Sequence, residues 1–127
     1  MKINHIALYV NDLEKTRDFF VTYFGAISNE GYRNPRTDFC SYFLSFENGS
    51  QLELMTKSDL TDSGDFLNRF GYAHIAFSVG SREVVDSLTC KLQTDGYCVL
   101  SGPRTTGDGY YESCIAGPEG NLIELTV

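Results

Sequence analysis

The sequence is poor in positive charge. Its 127 residues include 10 lysines and arginines against 17 aspartates and glutamates, which gives a formal net charge of −7 and a pI near 4.6. A chain with this charge repels phosphate backbones, so we do not expect it to bind nucleic acid.

Long apolar runs are also missing. No stretch approaches the length of a membrane span, and the first residues alternate polar with apolar side chains, so we expect neither a membrane segment nor a signal peptide. With 42% hydrophobic residues, the chain is long enough for one domain with a real core. It is too short for two independent domains, and we predict a single domain over residues 1–127.

Closely spaced cysteines are absent as well. Cys40, Cys90, Cys98 and Cys114 form no Cys-x-x-Cys pair, which argues against a zinc ribbon or a catalytic dithiol. We interpret them as reduced thiols, buried as small hydrophobes in a cytoplasmic protein.

An internal repeat is what the sequence does contain. The stretch MKINHIALYV places His-Ile-Ala at His5, and GYAHIAFSV repeats it at His74. The two histidines are 69 residues apart (74 − 5), and Glu53 in QLELM lies 71 residues before Glu124 in LIELT (124 − 53). A duplication with a small insertion explains both offsets.

Each His-Ile-Ala strand precedes a helical pattern. In the first helix Asn11 and Glu14 are typical of a capping box, and Gly25 ends the helix. In the second helix Ser81 is the predicted cap and Gly96 the terminator. The predicted apolar stripes are Leu13, Phe20 and Phe24 in the first helix, and Val84, Val85, Leu88 and Leu92 in the second.

Three strands follow each helix in this prediction. They lie near 26–32, 39–46 and 51–56 in the first half, and near 97–100, 110–116 and 121–127 in the second. Turns at Asn48-Gly49 and Gly117–Gly120 close the last hairpin of each half. We therefore predict an α+β fold of two βαβββ modules, residues 1–56 and 71–127, whose curved mixed sheets surround a metal-binding cleft. A linker at 57–70 contains a short helical turn near 66–70.

The alternation of side chains along the strands brings four ligand-type residues to equivalent positions. His5, Glu53, His74 and Glu124 all fall on strand faces turned away from the aliphatic side that must receive the helices. Carboxylates in a partly dry cleft need positive charge, which a divalent cation supplies. Mixed nitrogen and oxygen ligation suits Ni, Zn, Co, Fe or Mn without choosing among them.

The whole chain resembles the vicinal oxygen chelate superfamily, which includes glyoxalase I, fosfomycin-resistance proteins, methylmalonyl-CoA epimerase, extradiol dioxygenases and bleomycin-binding proteins. The stretches that carry the resemblance are HIALYVNDLEKTRDFF, QLEL, YAHIAFSV and GPEGNLIEL. Glyoxalase I uses a His-Glu-His-Glu metal set, which His5, Glu53, His74 and Glu124 match. Fosfomycin-resistance proteins use three such ligands and the epimerase has glutamine at the place of Glu53, so Glu53 favours a glyoxalase-like site.

The resemblance implies a metal-dependent lyase or isomerase of the lactoylglutathione lyase type. Its substrate would be a thiol–2-oxoaldehyde adduct, and a proton would move between adjacent carbons through a metal-held enediolate. Glu124, together with Glu53, would be catalytic, with Glu124 as the base that moves the proton. Alternatives are a thiol transferase that opens an epoxide antibiotic such as fosfomycin and a bleomycin-type sequestering protein. Members pair their modules within a chain or across a dimer, and we expect a homodimer.

Two departures from glyoxalase I make glutathione an uncertain thiol. Tyr9 stands where the family has an arginine that grips a glutathione carboxylate, and Lys57 lies near the place of an expected asparagine. Arg69 and Arg104 are candidates for binding another anionic tail. The glycine-rich segment 102–109 is predicted to be either a lid over the cavity or simply a long turn, and Tyr110 and Tyr111 alternate faces so that only one can line the cavity.

Overall fold

The structure is a computed structural model that describes residues 4–61, 73–107 and 109–127. The chain divides into two compact units, Met1–Asp62 and Ser63–Val127. The predicted helical turn near 66–70 and the candidate Arg69 lie outside the described residues.

The first unit consists of one helix and a five-stranded mixed sheet. In chain order its elements are β1 (His5–Tyr9), α1 (Leu13–Phe24), β2 (Ile27–Ser28), β3 (Tyr32–Arg33), β4 (Cys40–Ser45) and β5 (Gln51–Thr56). The strand order is β1-β5-β4-β2, and β3 also pairs with β4. The strands β1 and β5 are parallel, whereas the other pairs are antiparallel.

The second unit repeats this plan with four strands. Its elements are β6 (Ile75–Ser78), α2 (Arg82–Thr94), β7 (Cys98–Thr105), β8 (Tyr111–Ala116), a 3₁₀ turn (Pro118–Gly120) and β9 (Leu122–Thr126). The order is β6-β9-β8-β7, and again the outer pair that joins the first and last strands is parallel. The predicted α+β class and βαβββ pattern are confirmed. Neither α1 nor α2 is long and apolar enough to span a membrane, nor is any other helix of the described ranges.

The helix boundaries are close to those predicted. Asp12, rather than Asn11, caps α1, because its carboxylate accepts a hydrogen bond of 3.0 Å from the Lys15 amide; the predicted capping box is wrong by one residue. Gly25 ends α1 at φ 63°, in the left-handed region that glycine adopts without strain. Ser81 caps α2 as predicted.

The apolar faces form a separate core in each unit. In the first unit α1 contacts β4 and β5, and the buried residues include Phe19, Phe20, Leu44, Leu52 and Leu54. In the second unit α2 covers β7, β8 and β9, and the buried residues include Val85, Leu92, Ile115, Ile123 and Leu125. The predicted assignment of the aliphatic strand face to the helix is therefore confirmed.

Two local predictions are wrong for identifiable reasons. Val84 is exposed, and Thr89 takes the buried place on α2, where its hydroxyl contacts that of Ser113. The strand predicted at 26–32 is interrupted, because the Asn29 side chain accepts bonds from the backbone of Gly31 and Phe43 and thereby replaces ladder pairing.

Gly31 itself allows this interruption. It has φ 83°, and a Cβ at this position would lie 2.6 Å from the ring of Tyr42. A side chain at position 31 would therefore be both strained and in steric conflict with β4.

The segment predicted to be a lid or a long turn belongs, in its described part, to a hairpin. The strand β7 continues to Thr105, where Arg104 pairs with Glu112 and Thr105 pairs with Tyr111. The turn is closed by the amide of Thr106, which donates to the carbonyl of Tyr110 at 2.8 Å, and by the Thr106 hydroxyl. Strand pairing therefore accounts for the first half of segment 102–109.

The expectation of buried cysteines holds only in part. All four cysteines are free, but Cys90 and Cys98 are exposed, whereas Cys40 and Cys114 are partly buried. Cys90 lies on the outer side of α2, one residue after buried Thr89, and helical periodicity turns it toward solvent.

Candidate metal-ligand pairs on the open sheet faces

The open face of the first sheet, opposite α1, carries the first predicted ligand pair. His5, Ala7 and Tyr9 of β1 lie beside Gln51, Glu53 and Met55 of β5 in parallel register. This pairing brings the imidazole Nε2 of His5 to 3.6 Å from the Glu53 carboxylate. Two residues separated by 48 positions (53 − 5) therefore meet through strand pairing alone.

The surroundings of His5 orient its ring. The Asn4 side-chain oxygen lies 2.9 Å from Nδ1, and because an amide oxygen can only accept, Nδ1 carries the proton of this hydrogen bond. The ring of Phe43, whose residue pairs with Glu53 across the sheet, meets the imidazole edge-on at 5.2 Å between centroids. The ring is thus held with Nε2 toward Glu53.

This arrangement fits a cation between the two side chains. In the tautomer whose Nδ1 carries the proton, Nε2 presents a lone pair toward the Glu53 carboxylate, 3.6 Å away. The Glu53 side chain is only 16% exposed, which limits its solvation by water. A metal ion satisfies both lone pairs, and a hydrogen-bonded Nδ1 is the usual support of a metal-bound histidine.

The open face of the second sheet carries a matching pair. His74 immediately precedes β6, and its Nε2 lies 3.5 Å from the carboxylate of Glu124 on β9. The Glu124 side chain is 19% exposed. Each unit therefore contains one imidazole and one carboxylate at the same place relative to its parallel strand pair.

Cys114 is a neighbour of the second pair that the sequence interpretation did not single out. It pairs directly with Glu124 across β8 and β9. Burial raises the pKa of the Cys114 thiol, and the carboxylates of Glu124 and Glu112 raise it further, so the thiol stays protonated at neutral pH. The period-two alternation of ESCIA in β8 could have placed Cys114 on the same face as the predicted ligand.

The metal-ligating side chains of the described ranges occur in groups of two residues. In residues 4–61, 73–107 and 109–127, no three side chains of His, Cys, Asp and Glu are grouped so that they could hold one ion. Each unit supplies a half-set of one nitrogen and one oxygen donor. The assembly of His5, Glu53, His74 and Glu124 around a single ion stays a prediction.

Tyr9 lies on the open face of the first sheet and is about half exposed. The ammonium of Lys57 lies 5.4 Å from the centroid of its ring, a cation–π distance. A positive group therefore stands over Tyr9 at the place for which the resemblance implied an arginine.

Arg104 and the two tyrosines occupy different surfaces of the second unit. Arg104 lies across from Glu112, on the open face, with its guanidinium 3.9 Å from that carboxylate, and it is largely exposed. The Tyr111 hydroxyl donates to Asp86 of α2 at 2.6 Å, and Arg82 lies over its ring, so Tyr111 belongs to the helix side. Tyr110 is exposed in the hairpin turn.

Known proteins share this sequence pattern and fold. The family model of the Glyoxalase/Bleomycin resistance protein/Dioxygenase superfamily matches residues 2–125. The uncharacterized protein YqjT of Bacillus subtilis (strain 168) is 29% identical over 126 residues, which cover 97% of this chain and 96% of that protein.

Solved structures are also similar. The trypanothione-dependent glyoxalase I of Leishmania major has a TM-score of 0.79 at 20% identity, with 99% of this chain and 86% of that chain covered. The fosfomycin resistance protein FosX of Listeria monocytogenes, in complex with Mn(II) and 1S,2S-dihydroxypropylphosphonic acid, has a TM-score of 0.75 at 24% identity, with 98% and 90% covered. At these identities the similarity establishes a common fold.

Proposed function

Because the chain belongs to the glyoxalase/bleomycin resistance protein/dioxygenase superfamily, we propose that it is a metal-dependent lyase or isomerase of the glyoxalase I type. Its substrate is a thiol–2-oxoaldehyde adduct or a related small molecule. The superfamily contains metal-dependent enzymes of different chemistry, so the proposal depends on the site of this chain and not on the fold.

The single observation that carries the proposal is the duplicated histidine–glutamate pair. His5 with Glu53 and His74 with Glu124 stand at 3.6 and 3.5 Å on the open faces of two units that share one topology. These are the only two histidines of the chain. A structural role for one pair would not require its exact chemical counterpart in the other unit.

The donor set suits a divalent ion of the Ni, Zn, Co, Fe or Mn group. Two imidazoles and two carboxylates neutralise the charge of such an ion and leave coordination positions for substrate on a six-coordinate metal. A bound ion would supply positive charge to the adjacent oxygens that become negative when a proton leaves the intervening carbon.

The two glutamates have different proposed roles. Glu124 moves the proton between adjacent carbons of the substrate, because a carboxylate in a partly dry site is a competent general base. Glu53 acts mainly as a ligand, since it is packed between His5 and Phe43. The protonated thiol of Cys114 beside Glu124 adds no negative charge to this base.

The remaining open-face groups are candidates for binding the substrate. Tyr9 and Arg104 present an aromatic ring and a guanidinium on the open faces, and Tyr110 extends from the hairpin turn. Arg104 is the natural partner of an anionic group on the thiol. Tyr111 is engaged with Asp86 on the helix side and has no role in this proposal.

The test is the metal content and turnover of Glu53→Gln. Glutamine keeps the shape of the side chain but removes its charge, so we expect less bound metal in the purified protein and a parallel fall in turnover of methylglyoxal adducts with glutathione and other small thiols. The matched control is Glu112→Gln, which changes an equally exposed (16%) open-face glutamate that has an arginine neighbour instead of a histidine.

Glu112→Gln should keep its metal. If Glu53→Gln also kept full metal content and turnover, the four-ligand model would be wrong. If Glu53→Gln kept its metal and the wild type inactivated fosfomycin in the presence of a thiol, the thiol transferase would replace the isomerase.

Two further expectations belong to this proposal. We expect a homodimer, which sedimentation at micromolar protein concentration can test, and a monomer there would contradict a site shared between subunits. We also expect a cytoplasmic location, in keeping with four free thiols, two of them exposed.

A further inference from the structure

The two histidine–glutamate pairs have nearly the same spacing but different neighbours. In the first unit Asn4 precedes His5, and its side-chain oxygen lies 2.9 Å from Nδ1 of the ring. In the second unit Ala73 precedes His74, and a methyl side chain has no atom that accepts a hydrogen bond. In the described part of the chain, no other hydrogen bond to Nδ1 of His74 takes its place.

The residue across the sheet from each glutamate also differs. Phe43 pairs with Glu53, and its ring meets the His5 imidazole edge-on with the centroids 5.2 Å apart. Cys114 stands at this place opposite Glu124, and a thiol has no ring edge that could orient an imidazole. A hydrogen bond and an aromatic contact therefore fix the first imidazole, and the residues at the equivalent positions of the second unit provide neither.

These neighbours affect which ring nitrogen carries the proton of a neutral imidazole. At 2.9 Å the contact of His5 with Asn4 is a hydrogen bond, whereas the 3.6 Å to Glu53 is longer than one, so the proton is favoured on Nδ1. At His74 nothing competes with the Glu124 carboxylate, 3.5 Å from Nε2, which favours the proton on Nε2. A proton on Nε2 has to move before that nitrogen can bind a metal ion.

We propose that Asn4 is a positioning residue that keeps Nε2 of His5 available for a metal ion, and that His5 and Glu53 are therefore the anchoring half of the metal site. His74 and Glu124 bind the same ion more weakly, because the proton of His74 must first pass from Nε2 to Nδ1 through solvent water. This inference rests on the metal site of the proposed function and gives its two halves different tasks.

The first experiment locates the protons in the metal-free chain. Long-range ¹H–¹⁵N correlation spectra of the chelator-treated, ¹⁵N-labelled chain distinguish the tautomers of its two imidazoles at about pH 8.5, where histidine is ordinarily neutral. We expect the proton on Nδ1 of His5 and on Nε2 of His74. Asn4→Ala should move the His5 proton to Nε2, and Ala73→Asn should move the His74 proton to Nδ1. The same tautomer at both histidines, or a His5 tautomer that Asn4→Ala leaves unchanged, would overturn the proposal.

The second experiment measures the affinity of the full chain for Zn²⁺ by isothermal titration calorimetry. Asn4→Ala should weaken binding by about 10–100-fold, the usual effect of removing the hydrogen-bond partner of a metal-bound histidine. Asn4→Asp keeps an acceptor oxygen and should retain the wild-type affinity. The matched control is Asn34→Ala, which removes an asparagine oxygen that accepts a bond of the same length, 2.9 Å, from the Arg36 amide, and it should leave the affinity unchanged. Equal affinities of Asn4→Ala and Asn34→Ala would contradict the role of Asn4.

A comparison of the two histidines tests the anchoring role. His5→Gln should lower the Zn²⁺ affinity roughly tenfold more than His74→Gln, and equal losses would contradict an anchoring half. None of these measurements uses a substrate. The expected tautomers and affinities in a chain without turnover would therefore count against the proposed enzyme and support this inference, whereas turnover with equal losses in both histidine variants would do the reverse.

Discussion

The two units agree on their open faces and differ on their helix faces. Each open face holds one histidine–glutamate pair at nearly the same separation. On the helix side, the leucine that follows each of these glutamates has a different cross-strand partner in each unit. Leu54 pairs with Tyr42, and Leu125 pairs with Ser113. The two units thus share the histidine–glutamate pair on the open face but differ in the residues that pack on the opposite side of the same strands.

The helix-side contacts show how different these supports are. The Tyr42 hydroxyl reaches the surface and donates to Glu14 at 2.6 Å, with Arg17 over its ring. Ser113 is fully buried and meets the hydroxyl of Thr89 at 2.6 Å. The helix is therefore joined to the sheet by an exposed polar cluster in the first unit and by a buried pair of hydroxyls in the second.

The largest expected effect distinguishes the two glutamates. Glu124→Gln should lower turnover by about 10²–10⁴-fold, the usual contribution of a general base, and added metal should not restore it. Glu53→Gln should regain part of its activity when the ion is supplied in excess, because its defect is in binding the metal. Turnover measured against metal concentration checks this difference, and identical rescue of both variants would contradict separate roles.

A smaller effect concerns the buried hydroxyl pair of the second unit. The Thr89 hydroxyl donates to the carbonyl of Val85, so the Ser113 hydroxyl must be the donor to Thr89. Ser113→Ala removes this bond and should lower the free energy of unfolding by about 1 kcal/mol, measured by urea denaturation. The double variant Thr89→Val with Ser113→Ala should recover most of the loss, because Ser113→Ala alone leaves the buried Thr89 oxygen without a donor, and the double variant removes that oxygen as well. A double variant less stable than Ser113→Ala would argue against this pairing.

The smallest effect is a pH dependence at the rim of each unit. Hydrogen bonds to Glu14 and Asp86 raise the pKa values of Tyr42 and Tyr111 above the ordinary 10.0. A raised folded-state pKa contributes stability that is fully present below pH 10 and is lost as pH rises through the folded value, because only the unfolded tyrosine releases its proton. Tyr42→Phe and Tyr111→Phe should each reduce the loss of stability above pH 10. Tyrosinate absorbance during alkaline titration provides the direct check, and titration at the ordinary pKa would contradict these bonds.

Much of the fold was accessible from sequence patterns. Alternating apolar residues in QLELM and LIELTV predicted which strand face meets the helix, and glycines at 25 and 49 marked a helix end and a hairpin. These features succeed because they depend on neighbours in sequence. Breaks such as the one at Asn29 were missed, because a side chain that bonds to the backbone of another strand leaves no periodic trace.

In the candidate site, too, some features were predicted from the sequence and others were not. Alternation and the repeat selected His5, Glu53, His74 and Glu124, and the structure places both pairs at 3.5 to 3.6 Å. The helix-side position of Tyr111 and the partnership of Arg104 with Glu112 were not predicted. The side of Tyr111 follows from the alternation of β8, in which Ser113 and Ile115 also face the helix. The partnership of Arg104 follows from the register of β7 and β8, which contains bulges between Val99 and Arg104 that change the count of residues along the strand.

The sequence by itself determined the duplication, the course of the chain through strand and helix, and the faces on which donor side chains lie. Those properties arise from local periodicity, which needs no knowledge of distant partners. Only the tertiary structure decided which distant residues become neighbours: Phe43 beside His5, Cys114 beside Glu124, and Lys57 beside Tyr9. Such contacts depend on strand register and loop closure, where a shift of one residue exchanges every neighbour.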